Sequence, residues 1–301
     1  MKLSNLVIIL FMSVSVGATA NADQLKLDSF KSSAELVDAL PESAWRQLSS
    51  ENTIVMTLPS GDVVIELASN FAPKHVANIK TLVSEKYFNG TSVIRSQDNY
   101  VAQWGDTTDV DVDNPDAKPK SLGSAVEKLE VEFFEPFTAI PFTTIESQDA
   151  YADRVGFSQG LPAASDGKKA WLSHCYGMVG VSRGMESDSG NGSGLYAITG
   201  HAPRHLDLNV TLVGKVWLGM EHLSSLPRGK GALGFYLEPS KYVPISSVNF
   251  LPKDKIINVM KTDTAEFKRF VELRTTRNEE WFIEPTGNIE LCNVWVPVRE
   301  G

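Results

Sequence analysis

Three groups of residues have the types and spacing that chemistry asks for. Gly180-Val181-Ser182-Arg183-Gly184 has G-x-S-x-G spacing, which exposes a serine nucleophile when a strand, a sharp turn and a helix carry it. The residues after Ser182 are rich in Gly, Ser, Asp and Asn. That is loop composition, so the helix an acyl-transfer elbow needs is not expected. His201 and His205 stand four apart, a spacing that puts two imidazoles on one helix face to hold a metal. Pro203 lies between them and opposes that helix. With five histidines in the chain, no third ligand stands at a convincing spacing. No metal and no cofactor are expected. Cys175 and Cys292 are the two cysteines and lack C-x-x-C spacing, which argues against thiol redox chemistry. In an oxidising compartment they can pair and staple the C-terminal segment to the main body; otherwise they are two buried thiols.

The elements that would position these residues are mostly short. A helix is predicted over residues 33 to 48, capped by Ser33, with Leu36, Val37, Leu40, Ala44 and Leu48 at helical spacing and Pro41 as a dividing point. Ile54, Met56 and Leu58 alternate, Pro59-Ser60-Gly61-Asp62 turns, and Val63, Ile65 and Leu67 alternate again: a hairpin. Pro73 opens a helix with Val76, Ile79 and Leu82 or Val83 buried. Strands follow near 91 to 95 and 100 to 104. Residues 107 to 125 read as an acidic surface loop, 126 to 145 carry strand-like patches, and 146 to 169 read as a second long polar stretch. Strand signals return at 170 to 174, 177 to 182, 195 to 199 and 210 to 216, with a short helix at 219 to 226. The tail adds a strand at 243 to 250, a helix near 264 to 276 and a strand at 289 to 296. Many short strands and two main helices predict a mainly β fold, an antiparallel barrel.

Of the 301 residues 42% are hydrophobic, enough for a sizeable core. Lys and Arg total 28 against 37 Asp and Glu, a formal charge of -9. Such acidity repels phosphate backbones and excludes nucleic acid as an expected partner. Residues 1 to 22 read as a secretory signal: Lys2, an apolar run from Leu6 to Val16, and the small-x-small pairs Ala18-Thr19-Ala20 and Ala20-Asn21-Ala22. The run is too short to span a bilayer, and no later segment is long enough. The expectation is an exported protein of a bacterial periplasm, with no membrane partner after cleavage before Asp23.

The stretch from Thr57 to Asp106 resembles the first half of a cyclophilin. Gly61-Asp62-Val63-Val64-Ile65-Glu66-Leu67 looks like the opening hairpin. Ala72-Pro73-Lys74-His75-Val76-Ala77-Asn78 looks like the A-P-x-x-V-x-N helix start. Tyr87-Phe88-Asn89-Gly90-Thr91 and Val93-Ile94-Arg95 continue in order, and Tyr100-Val101-Ala102-Gln103-Trp104-Gly105-Asp106 is similar to the F-x-x-Q-x-G-D run. In a second block, Gly177 to Arg183 resembles the G-x-(V/L)-(S/G)-M-A strand, Asn191-Gly192-Ser193 the N-G-S turn, and His205-Leu206-Asp207 and Val213-Gly214-Lys215-Val216 follow.

That resemblance implies a closed antiparallel β-barrel of about eight strands capped by two helices; the N-terminal helix and the C-terminal helix and strand read from the residues lie outside it, as additions. The expected organisation is a 23–52 N-terminal extension, a 53–230 isomerase domain with an insertion at 107–169, and a 231–301 C-terminal extension packed on the same domain. The resemblance also implies peptidyl-prolyl cis/trans isomerisation. A peptide C–N bond is partly double and its rotation faces ~18–20 kcal/mol, and X-Pro isomers exchange in ~10–100 s. In the twisted state the imide nitrogen regains a lone pair, which a fixed cationic donor stabilises. The resemblance gives that role to Arg95, permanently charged with a rigid fork of donors, and gives Gln103 the task of orienting substrate and arginine. Tyr100, Val101, Tyr196 and Leu206 fall at the apolar proline pocket, and Ser182, Arg183, Gly194, His205 and Val210 at the surrounding subsites.

Several positions depart from the family pattern: Ile94 where His is frequent, Tyr196 for a pocket Phe, Gly194 for Gln, His205 for Trp or Phe, and Val210 for His. The partners implied are proline-containing polypeptides. The competing reading is a module that holds such segments, as a chaperone, without useful turnover.

Overall fold

The computed structural model describes residues 26–109 and 118–301. The segment expected to be a secretory signal, 1–22, and part of the acidic stretch 107–125 lie outside the described residues.

The chain opens with α1 (Ser33–Asp38), then β1 (Trp45–Gln47), β2 (Thr53–Leu58), β3 (Gly61–Leu67), α2 (Pro73–Ser84), β4 (Ser92–Ser96) and β5 (Val101–Gly105). The insertion supplies β6 (Glu135–Pro136), β7 (Thr143–Thr144), β8 (Arg154–Ser158) and β9 (Leu161–Ser165), with β10 (Lys169–Leu172) at its end. β11 (Met178–Val181), β12 (Leu195–Ile198), β13 (Leu212–Leu218) and α3 (Met220–Ser224) complete the second block. The tail adds β14 (Val243–Pro244), β15 (Ser247–Phe250), β16 (Ile257–Met260), α4 (Ala265–Thr276) and β17 (Val298–Glu300).

Nine antiparallel strands make the main sheet, in the order β14-β4-β5-β12-β11-β13-β3-β2-β15. The two end strands are almost consecutive in the chain, with Ile245 and Ser246 alone between them. Ile245 donates to the Thr91 carbonyl (2.8 Å) on one side, and Ser246 to the Thr57 carbonyl (3.1 Å) on the other. The sheet is therefore curled until its first and last long strands, β4 and β2, face one segment of chain. Residues 243–250 lie beyond the 230 boundary, yet they supply both end strands and bring the count to nine.

The strands of the β2–β3 hairpin are apolar on both faces because both faces are covered. Ile54, Met56, Val63 and Ile65 pack inward with Val76, Ile79 and Leu82 of α2. Val55 and Val64 point outward into a second core, built with Leu36, Trp45, Phe267 and Phe270 from the two ends of the chain. β1, β16 and β17 form a three-stranded sheet that joins those ends. Cys175 and Cys292 are disulfide-bonded, with Cα atoms 4.9 Å apart. Among the described residues no helix is long and apolar enough to cross a membrane.

Four expectations on the elements are corrected. The first helix stops at Asp38; beyond Pro41, Trp45–Gln47 is a strand, because pairing with β16 holds it extended. Its cap is Ser32, whose Oγ accepts from the Glu35 amide (3.2 Å), not Ser33. The strand expected at 289 to 296 is a 3-10 turn (Leu291–Asn293), and the strand lies at Val298–Glu300. The polar stretch 146 to 169 is no open loop: β6 to β10 form a five-stranded antiparallel sheet, ordered β6-β10-β9-β8-β7. Gly156, Ala163, Ala164 and Ser165 in its hairpin are small and weaken the apolar alternation. Gln159 and Gly160 (φ +50° and +90°) make its two-residue turn. A Cβ at Gly156 would fall 2.0 Å from the Thr143 carbonyl oxygen.

Candidate active site

The pairing register fixes the centre of the site. A bulge between Val93 and Arg95 shifts β4 against β5 and sets Arg95 directly opposite Gln103. Gln103 is in turn opposite Tyr196 on β12, and Tyr196 opposite Gly180 on β11. One row across four strands thus carries a cation, an amide, a phenol and a glycine. The glycine is required, since a Cβ there would fall 2.4 Å from Cζ and the hydroxyl oxygen of Tyr196.

Arg95 is held by three acceptors. Nη1 donates to Gln103 Oε1 (2.9 Å), Nε to the Leu233 carbonyl (2.6 Å), and Nη2 to Gln97 Oε1. A guanidinium has five N–H donors, so one remains on each terminal nitrogen. The cation lies near two rings, 5.8 Å from the Tyr100 centroid and 5.3 Å from that of Phe235. Burial lowers its pKa from the usual guanidinium range, and a group that starts so high stays charged.

Beside this cation lies a groove of about 320 Å³. Tyr100, Val101, Tyr196, Leu206 and Val210 give it apolar walls, and Ser182 and Arg183 a polar rim. Of the eleven residues expected at the site, the structure gathers nine around the groove. Gly194 stands behind it: its carbonyl accepts from the Ser182 amide (2.9 Å), and a Cβ would collide with Ser182 Oγ at 2.2 Å. His205 is exposed and stacks on Tyr100, centroids 6.4 Å apart. None of the lining residues comes from the insertion.

A buried polar chain holds the floor and one wall. The Tyr196 hydroxyl lies 3.1 Å from His174 Nε2, and His174 Nδ1 lies 2.8 Å from Asp207 Oδ1. Arg204 donates from Nε to Asp207 Oδ2 (2.6 Å) and from both terminal nitrogens to Asp149 (2.7 and 3.1 Å). Burial pushes His174 below the ordinary imidazole range, toward the neutral ring. Despite its burial, Asp207 is held below the usual carboxylate range by the His174 hydrogen bond and the Arg204 charge. Nδ1–H then donates to the carboxylate and Nε2 accepts from the phenol, whose own pKa burial raises. Arg204 and Leu206 share one 3-10 turn, so the ion cluster also sets the Leu206 wall.

Sequence reasoning missed Gln97, Leu233, Phe235 and the His174–Asp207–Arg204–Asp149 chain. The glycines of Gly229-Lys230-Gly231-Ala232-Leu233-Gly234 were a signal for a tight loop, but nothing in them says which side chain the loop reaches. For the elbow motif, residues 182–194 form no helix. Among the described residues no three His, Cys, Asp or Glu side chains gather as metal ligands.

Residues 53–250 match the family described as cyclophilin type peptidyl-prolyl cis-trans isomerase/CLD, and the chain belongs to that family. It is a cyclophilin-type peptidyl-prolyl cis-trans isomerase. A Brucella suis protein named a probable peptidyl-prolyl cis-trans isomerase is 30% identical over 185 residues, which cover 60% of this chain and 74% of that one. A Brucella melitensis protein of the same name aligns with the same figures. In fold the chain is similar to the cyclophilin AquaCyp293 from Hirschia baltica, with 23% identity, 85% of this chain and 93% of that one covered, and a TM-score of 0.66.

Proposed function

We propose that this isomerase acts on X-Pro bonds of exported polypeptides, as a folding helper in a bacterial periplasm. The observation that carries the reading is the Arg95 guanidinium, fixed on Gln103 beside a groove of about 320 Å³ with apolar walls. The proline ring enters between Tyr100, Val101, Tyr196, Leu206 and Val210. The free N–H groups of Arg95 reach the imide nitrogen as it becomes pyramidal, and Gln103 orients the backbone. No bond forms or breaks; the preorganised charge stabilises the twisted state. The leader-like residues 1 to 22 support the exported setting.

The test is a protease-free exchange measurement by NMR on X-Pro peptides, comparing the mature protein with Arg95→Ala. Acceleration that falls by ~10²–10³ in the variant supports the role of Arg95. Peptide binding without acceleration would make the protein a holding module instead. Cell fractionation with N-terminal sequencing tests the compartment: a mature form starting at Asp23 in the periplasmic fraction is expected, and a chain retaining Lys2 in the cytosol would overturn it.

A further inference from the structure

Leu233 is an exposed leucine in a conformation that leucine disfavours. Its φ is +55°, a left-handed backbone that suits glycine or asparagine, and it is 65% exposed. A turn needing only this shape is better made with glycine, and burial does not compensate the leucine here. Yet the loop that carries it is built to be rigid. Gly229 donates to the Ser96 carbonyl (2.9 Å) and Tyr236 to that of Ile94 (3.0 Å), so the loop is pinned to β4 on either side of Arg95. Gly234, at φ +81°, sits so close to Gln97 that a Cβ would fall 2.6 Å from its Cα. Arg228 adds contacts to Asp98 and Ser96.

This loop touches the site at two points. The Leu233 carbonyl accepts a hydrogen bond from Arg95 Nε, and the guanidinium lies 5.3 Å from the centroid of the Phe235 ring. Leu233 and Phe235 line the same groove as Arg95 and the proline-pocket residue Tyr100, and both touch the cation that Tyr100 also flanks. A chain whose proline ring is in the pocket and whose imide is at Arg95 must send a neighbouring residue past this apolar wall.

We propose that Leu233 and Phe235 form a second subsite that selects an apolar side chain on a residue adjoining the substrate proline. This rests on the groove being the isomerase site. The occupied subsite buries apolar surface on Leu233 that water covers in the free protein, which explains an exposed leucine at a strained position. Leu233→Gly isolates the side chain: glycine accepts the same backbone, so the carbonyl on Arg95 stays in place.

The experiment measures exchange by NMR on peptides Ac-Ala-X-Pro-Z-Ala-amide, varying X and Z separately among Ala, Ser, Leu and Phe. The wild-type protein is expected to prefer Leu or Phe over Ser at one of the two positions by roughly tenfold in kcat/KM. In Leu233→Gly that ratio is expected to fall to within about twofold of unity. Acceleration indifferent to X and Z, or a preference that survives in Leu233→Gly, would overturn the subsite while leaving the isomerase intact. No acceleration of any peptide by the wild-type protein would overturn both.

Discussion

His174 Nε2 lies 3.1 Å from the hydroxyl of Tyr196, and this buried hydrogen bond fixes the floor of the substrate groove. His174 is neutral in the folded protein because burial lowers its pKa below the ordinary 6.5. The neighbouring charged and titratable groups are Asp207, Arg204 and His205, with Asp149 paired to Arg204. Above the unfolded pKa both states carry a neutral ring, so this group makes no difference to stability with pH. Below it the unfolded state binds the proton first, and stability falls as pH drops toward the lower folded value. Urea unfolding between pH 8 and 5 should show that decline. In His174→Gln the slope should become shallower, even though the variant starts less stable.

Tyr196→Phe leaves His174 Nε2 buried without a donor. The expected loss is about 1–3 kcal/mol in unfolding free energy, while exchange rates on X-Pro peptides at 10 °C stay within a few-fold because the groove floor remains an aromatic ring. Denaturation curves and exchange measurements on the same sample separate the two effects.

Gly180→Ala should do more harm than its one methyl suggests. The Cβ would press on the Tyr196 ring at 2.4 Å, and the ring, held by His174, cannot tilt away without giving up its hydrogen bond. The expected outcome is a KM for X-Pro peptides raised at least tenfold, about 1.4 kcal/mol of binding, in a protein that still folds. Titration of peptide line widths reads the affinity directly.

Gln103→Ala frees Nη1 of Arg95 while Leu233 and Gln97 continue to hold the other two nitrogens. A hydrogen bond to a charged group is worth about 1.5–3 kcal/mol, so kcat/KM should fall by roughly 10–100-fold, less than for Arg95→Ala. A Gln103→Ala variant as inactive as Arg95→Ala would show that its contact with the substrate backbone outweighs its hold on the arginine.

Reducing Cys175–Cys292 releases a cross-link that closes a separation of 117 residues. Relaxing that constraint on the unfolded chain should cost about 2–4 kcal/mol. Activity well below the melting temperature should be unchanged, since neither cysteine lines the groove. Melting curves with and without dithiothreitol, and of Cys292→Ser, measure this.

The alternating runs Ile54–Leu58 and Val63–Leu67, the proline that starts α2, and the order of Arg95, Gln103, Tyr196 and Leu206 along the chain were legible as written. Local periodicity and motif spacing depend only on residues near one another in sequence. They defined the barrel strands, the family and nine of the residues at the groove. The sheet at residues 135–172 was hidden, because Gly156, Ala163, Ala164 and Ser165 are small where a strand usually shows its apolar alternation. Asp149 and His174 gave no sign of reaching the floor through Arg204 and Asp207, and Leu233 none of reaching Arg95 across 138 residues. Contacts of that kind arise from where the chain returns after folding. Cross-strand register, the closure at residues 243–250 and the packing of the tail on β4 decide them, and no local pattern encodes a partner so distant.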